Sequence, residues 1–164
     1  MSFEFNADEI FEMAEQIERN GVKFYRRAAD LITDSQARGK LLEFAEMEVM
    51  HEKTFAAMRA DLSLKESVTT VFDPENQEAL YLRAMADGHV FDVKADPSAK
   101  LTGEETMEEI LQTAIGLEKD SIVFYLGIKE MVPANLGRDK IDDIIREERG
   151  HITDLSAQLA SMKE

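Results

Sequence analysis

Four side chains with metal-binding or hydrogen-bonding chemistry occur twice in this chain at one constant spacing. Glu18 and Tyr25 recur as Glu118 and Tyr125, and Glu48-x-x-His51 recurs as Glu148-x-x-His151, each pair 100 residues apart. With 34 Asp and Glu residues in the chain, a lone Glu-x-x-His is more often surface decoration than a site. A duplicated register of Glu, Tyr, Glu and His is far harder to obtain by chance. It selects Glu18, Glu48, His51, Glu118, Glu148 and His151 as candidate metal ligands.

On a helix, Glu and His at i and i+3 share one face, so both can reach one ion, or the Glu can span two. Burying Glu18, Glu48, Glu118 and Glu148 together is prohibitively repulsive unless cations compensate them. Two divalent ions would neutralise the four carboxylates, with neutral imidazoles completing the ligand shells. The chain has no cysteine, which excludes disulfides, thiolate catalysis, zinc ribbons and cysteine-bound iron–sulfur centres. Oxygen and nitrogen donors without sulfur suit iron or manganese, with zinc or copper as substitutes of high raw affinity. Two such ions lie about 3.5–4 Å apart in dinuclear sites. Tyr25 and Tyr125 read either as ordinary core residues or as phenols that donate hydrogen bonds to ligand carboxylates across the molecule and fix their orientation. Glu147 is excluded as a ligand because its repeat partner is Met47. Glu12 and Glu15, partnered by Gln112 and Ile115, read as solvated or as supporting the ligands from outside. His89 has no repeat partner and reads as a loop residue.

Long helices must carry these residues. Asn6 and Glu9 form a capping-box pattern ahead of a helix over about 7–33, with Ile10, Ala14, Ile17, Phe24, Ala28 and Leu31 at helical spacing. Ser35 is suited to cap a second helix over about 36–62, which turns Leu41, Phe44, Met47, Phe55 and Met58 inward. Thr102 and Glu105 open a third over about 103–131. Asn135 caps a fourth over about 136–162. The apolar pattern repeats as well, Ile10 with Ile110, Ala14 with Ala114, Phe24 with Phe124, Phe44 with Ile144 and Phe55 with Leu155. Between the halves, residues 63–101 read as a crossover. It has an extended run over 67–71, a short helix over about 75–87 capped by Asp73-Pro74, and a loop from His89 to Lys100.

The expected fold is all-α: two antiparallel helical hairpins joined by one long crossover, forming a four-helix bundle in one domain, 1–164. Each long helix would span roughly 40 Å. Glu18 lies 16 residues before the turn at Asp34, and Glu48 and His51 lie 14 and 17 after it. The two sides of the hairpin therefore meet at one height near mid-bundle, and the second hairpin behaves alike about Ala134.

Bulk properties agree. The 164 residues are 44% hydrophobic, with nine Met, nine Phe and three Pro, enough for one substantial core and long uninterrupted helices. A net charge of -15 argues against general nucleic-acid binding and anionic membranes. No apolar run has the length of a membrane span, and the N-terminal segment lacks the pattern of a secretory signal, so a cytoplasmic protein is expected.

The motifs Ile17-Glu18 with Phe24-Tyr25, Glu48-Val49-Met50-His51, Leu117-Glu118 with Phe124-Tyr125, and Glu148-Arg149-Gly150-His151 resemble the ferritin-like superfamily, most closely its rubrerythrin-type branch. The resemblance covers all four helices. It implies a di-iron centre held by the six residues above, with Glu48 and Glu148 bridging. It also implies reduction of hydrogen peroxide or oxygen, with electrons relayed from a rubredoxin-like iron centre. Without cysteines the rubredoxin module is absent, so an external electron donor is expected. The additional glutamate of rubrerythrins is also missing near Glu118, where Ile115 and Ser121 stand. Bacterioferritin shares the six-ligand pattern and implies the alternative of iron oxidation or buffering. Its fifth helix is not expected in this chain, however, and its haem methionine is replaced by Val49, so cage storage and haem binding are not expected. A homodimer is the expected assembly. A bundle that retains metal only for stability is the reading from a different class.

Overall fold

Two helical hairpins carry the repeat. The computed structural model describes residues 7–64, 77–86, 93–132 and 134–163. The first hairpin is α1 (Ala7–Leu31) and α2 (Ser35–Leu64), followed by a short α3 (Gln77–Ala86); the second is α4 (Met107–Met131) and α5 (Arg138–Ser161). Within each hairpin the helices pack along their length. The hairpins meet with α1 facing α4 and α2 facing α5, and α3 lies on α4. No strand occurs among the described residues. None of the described helices is long and apolar enough to cross a membrane.

The core is divided into two apolar blocks. At one end, Phe11 of α1, Phe55 of α2, Phe124 and Ile128 of α4 and Ile141 of α5 interdigitate; at the other, Phe24 and Ala28, Leu41 and Phe44, Ile110 and Leu155 do the same. Each large side chain removed from water contributes about 1.5–3 kcal/mol. All five repeated apolar pairs read from the sequence are buried. Between the blocks, at mid-bundle, lies a layer of buried carboxylates and imidazoles.

Three of the long helices start elsewhere than the sequence reading places them. Asp34, not Ser35, caps α2: its Oδ1 accepts from the Ala37 N–H at 2.7 Å, so the helix begins one residue early. Thr102 does bond to Glu105, its N–H donating to Oε1 at 2.7 Å and its hydroxyl to the same oxygen at 2.9 Å, but the Thr102 hydroxyl accepts from Glu104 instead of Glu105. The helix nevertheless opens four residues later than expected, behind a second capping box of Thr106 and Glu109. Asn135 does not cap α5. It lies in a 3-10 turn, Ala134–Leu136, and the cap is Gly137 at φ 105, a left-handed conformation that glycine adopts without Cβ strain. The Arg138 Nε donates to the Val132 carbonyl at 2.8 Å and so satisfies an end of α4.

The returning crossover is strapped to α1. Asn20, 8% exposed, donates through Nδ2 to the carbonyls of Val93 at 2.8 Å and Ala95 at 3.2 Å. The stretch expected as loop closes in a 3-10 turn, Pro97–Lys100, capped by Asp96. Asn6, the extended run 67–71, Asp73-Pro74 and His89 lie outside the described residues.

Candidate metal centre

The side-chain period of α1 turns Glu18 onto the same buried face as Ile10, Ala14 and Ile17, and α4 repeats this for Glu118. In α2 and α5 the i, i+3 spacing sends Glu48 with His51, and Glu148 with His151, into the same layer. All six are buried, none more than 4% exposed. They form two overlapping groups, Glu18, Glu48, His51 and Glu148, and Glu48, Glu118, Glu148 and His151, each with potential ligand atoms within 4.8 Å of one another. Glu48 and Glu148 belong to both groups. The six residues selected by the repeat are thus brought together.

Each imidazole points Nδ1 inward. His51 Nδ1 lies 3.2 Å from Glu148 Oε1 and 3.4 Å from Glu18 Oε2. His151 Nδ1 lies 2.9 Å from Glu148 Oε2, 3.2 Å from Glu118 Oε1 and 3.4 Å from Glu48 Oε1. Yet Glu18 Oε2, Glu48 Oε1, His51 Nδ1 and both Glu148 oxygens are buried without a hydrogen-bond partner. They approach one another without the alignment of hydrogen bonds. Buried polar atoms are nearly always satisfied, and orphaned oxygens and a nitrogen converging on common points are the donor set of a cation site. These residues fit two metal ions.

Tyr25 and Tyr125 stand where the sequence places them. The Tyr25 hydroxyl donates to Glu118 Oε1 and the Tyr125 hydroxyl to Glu18 Oε1. Each phenol crosses from one hairpin to a carboxylate of the other; at Glu18 the second oxygen, Oε2, faces His51, whereas at Glu118 the same oxygen, Oε1, accepts from Tyr25 and faces His151. Tyr25 comes from one apolar block and Tyr125 from the opposite one.

The electrostatics of the layer are set by burial and by the crowding of its carboxylates. Burial, and then the charges of Glu48 and Glu148, push the Glu18 and Glu118 carboxyls well above the usual range. Burial disfavours imidazolium, but the surrounding carboxylates override it, pushing His151 up to about 12 and His51 above its ordinary value. Burial also opposes a charge on Glu48, which the close approach of Glu18 and of the two imidazoles outweighs, holding its carboxyl low. Desolvation and the nearby carboxylates raise both phenols, so each keeps the proton it donates. Crowded carboxylates in the layer thus favour bound positive charge, whether protons or cations.

Several contributors were not evident from the repeat. Glu147 is not among the converging carboxylates, but its Oε2 lies 2.6 Å from the outer nitrogen, Nε2, of His51. Met47, its repeat partner, places Sδ 3.4 Å from His151 Nε2. The signal was available: a residue one before the ligand glutamate is rotated by about 100° and faces the neighbouring helix. Gly21 abuts Glu48, and a Cβ there would stand 3.2 Å from its carboxylate. Glu15 is not solvated. It is 8% exposed and pairs with Arg19 at 2.8 Å and Arg59 at 3.6 Å, whereas Glu12 is exposed and pairs with Arg59 at 3.4 Å.

No protein-family model matches the chain, and no curated protein matches it. Among solved structures, it is similar to a Thermotoga maritima protein described as a ferritin-like diiron-carboxylate protein, with a TM-score of 0.69, 22% identity, and 98% of each chain covered. The chain has the ferritin-like fold.

Proposed function

We propose that this protein is a non-haem di-iron redox protein that reduces hydrogen peroxide or oxygen with electrons from an external donor. The observation that carries the reading is the convergence of unpartnered buried oxygens and imidazole nitrogen into two groups sharing Glu48 and Glu148. His51 and Glu18 would serve one ion, His151 and Glu118 the other, and Glu48 and Glu148 both. When bound, a pair of iron ions supplies two electrons at adjacent positions, matching the two-electron conversion of one peroxide and two protons to two waters.

The chain's own residues set the conditions. Four carboxylates provide a charge that two divalent ions neutralise, which favours the reduced, loaded state as the resting reductant. The hydroxyls of Tyr25 and Tyr125 fix the carboxylates of Glu118 and Glu18 from outside the layer. The apolar blocks above and below keep bulk water from both ends of the layer. With no cysteine-bound centre in the chain, recycling requires a separate electron carrier, such as a rubredoxin-like protein. The ferritin-like fold, shared with a protein described as a diiron-carboxylate protein, supports iron over manganese or zinc.

Stopped-flow oxidation of the anaerobically loaded ferrous protein tests this. Faster oxidation by peroxide than by oxygen, followed by re-reduction and repeated turnover, is expected. Faster reaction with oxygen and retention of ferric product would instead identify iron oxidation and buffering. Loaded protein inert to both oxidants would overturn the redox reading in favour of a metal-stabilised bundle.

A further inference from the structure

The two halves of the layer differ at the outer nitrogens of the histidines. Each half has one terminal glutamate held by a phenol from the other hairpin, and both share Glu48 and Glu148. Behind His51, however, stands the carboxylate of Glu147, 2.6 Å from Nε2. Behind His151 stands the thioether of Met47, 3.4 Å from Nε2. His151 also has the Phe44 ring against it, centroids 4.6 Å apart, where the repeat supplies aliphatic Ile144.

With Nδ1 turned inward as a ligand, neutral imidazole carries its proton on Nε2. At His51 that N–H donates to a carboxylate, a charge-assisted bond that increases the electron-donating power of Nδ1 and fixes the ring. At His151 the same N–H meets a weak sulfur acceptor in a buried setting. The difference is therefore electronic as well as positional.

We propose that the two metal positions are unequal, and that the position served by His51 takes a divalent ion first because Glu147 backs that histidine while Met47 backs His151. Glu147 is a positioning residue acting through His51. This rests on the two-metal reading above. Removing such a partner typically costs about 10–100-fold in metal affinity. Because the Glu147 side chain is 52% exposed, about tenfold is expected.

Site-resolved titration tests the proposal. Protein labelled with 15N in histidine is titrated with zinc(II), a diamagnetic divalent probe, because the two rings lie only 6.0 Å apart, and the imidazole resonances are followed after assignment by His51→Gln and His89→Gln. At one equivalent, the metal-free His51 resonances are expected to be lost while those of His151 persist. In Glu147→Met the loss should divide between the two, and Met47→Glu should level them from the other side. Asp143→Asn, which removes an exposed carboxylate one turn earlier on the same helix, should leave the order intact. Loss of His151 first, equal loss in the natural sequence, or a preference that survives Glu147→Met with the fold intact by circular dichroism would overturn the proposal. Binding without preference removes only the inequality; failure to bind zinc removes the two-metal reading and the inequality with it.

Discussion

The Tyr25 hydroxyl donates to the carboxylate of Glu118, a residue 93 positions further along the chain. Tyr125 returns the same bond to Glu18, so the hairpins are tied by two reciprocal buried hydrogen bonds at the height of the layer. Replacing either phenol by phenylalanine leaves a buried carboxylate oxygen without its donor, at about 1–3 kcal/mol. Tyr25→Phe and Tyr125→Phe should each lower metal affinity, by about 10–100-fold for loss of an orienting partner, while retaining helical structure. Equilibrium denaturation and metal titration of the two variants check this; unchanged affinity in both would mean that the phenols serve packing alone.

Gly21 offers a change with opposite effects on stability and binding. It lies inside α1, where alanine is favoured by about 1 kcal/mol, yet its new Cβ would stand 3.2 Å from Glu48 Cγ, Cδ and Oε2. Gly21→Ala is expected to stabilise the metal-free protein slightly and to weaken metal binding by displacing a carboxylate common to both groups. Gly116→Ala, in open space on α4, should give the stability without the loss. Thermal melts and metal titrations of both variants separate the two effects.

Glu118 and Glu15 are both buried acids, but they belong to different structures. Glu118 converges on the layer; Glu15 is held by Arg19 and Arg59. Glu118→Ala should abolish one metal position, and Glu15→Ala should keep both while lowering the melting temperature. Equal metal occupancy in the two variants would contradict the assignment.

The metal-free protein should lose stability as pH rises. Glu18 and Glu118 hold protons above the value of 4.5 at which the unfolded chain releases them, and His51 and His151 above 6.5, with His151 protonated up to about 12. A folded state that binds more protons than the unfolded one is favoured at low pH, and that advantage is lost as pH climbs through the folded values. Glu48 acts in the opposite sense, its contribution fading only on acidification below 4.5. Chelator-treated protein should therefore melt at a lower temperature at about pH 8.5 than at about pH 6. Metal-loaded protein should not show that fall. A melting temperature that rises over this range without metal would contradict the charge account.

Much of this was legible in the sequence, for a physical reason. A duplicated bundle repeats its buried faces, so Phe24 with Phe124, or Glu48 with Glu148, appears as a constant offset even in a chain crowded with acids. Height along the helices then followed from residue counts about Asp34 and Ala134. What escaped reading was what the repeat does not share. Glu147 was hidden because its counterpart is Met47, and Gly21 because its partner is Ser121. Helix starts were misplaced where two capping patterns compete, as at Thr102 and Thr106, or where a left-handed glycine replaces a side-chain cap, as at Gly137. Glu15 read as solvated or as supporting the ligands because nothing local reveals that Arg59 reaches it from α2.

The central claim is that Glu18, Glu48, His51, Glu118, Glu148 and His151 together hold two metal ions. Metal analysis after anaerobic loading with ferrous iron and desalting tests it most directly. About two ions retained per chain is the predicted result; fewer than about one would contradict it.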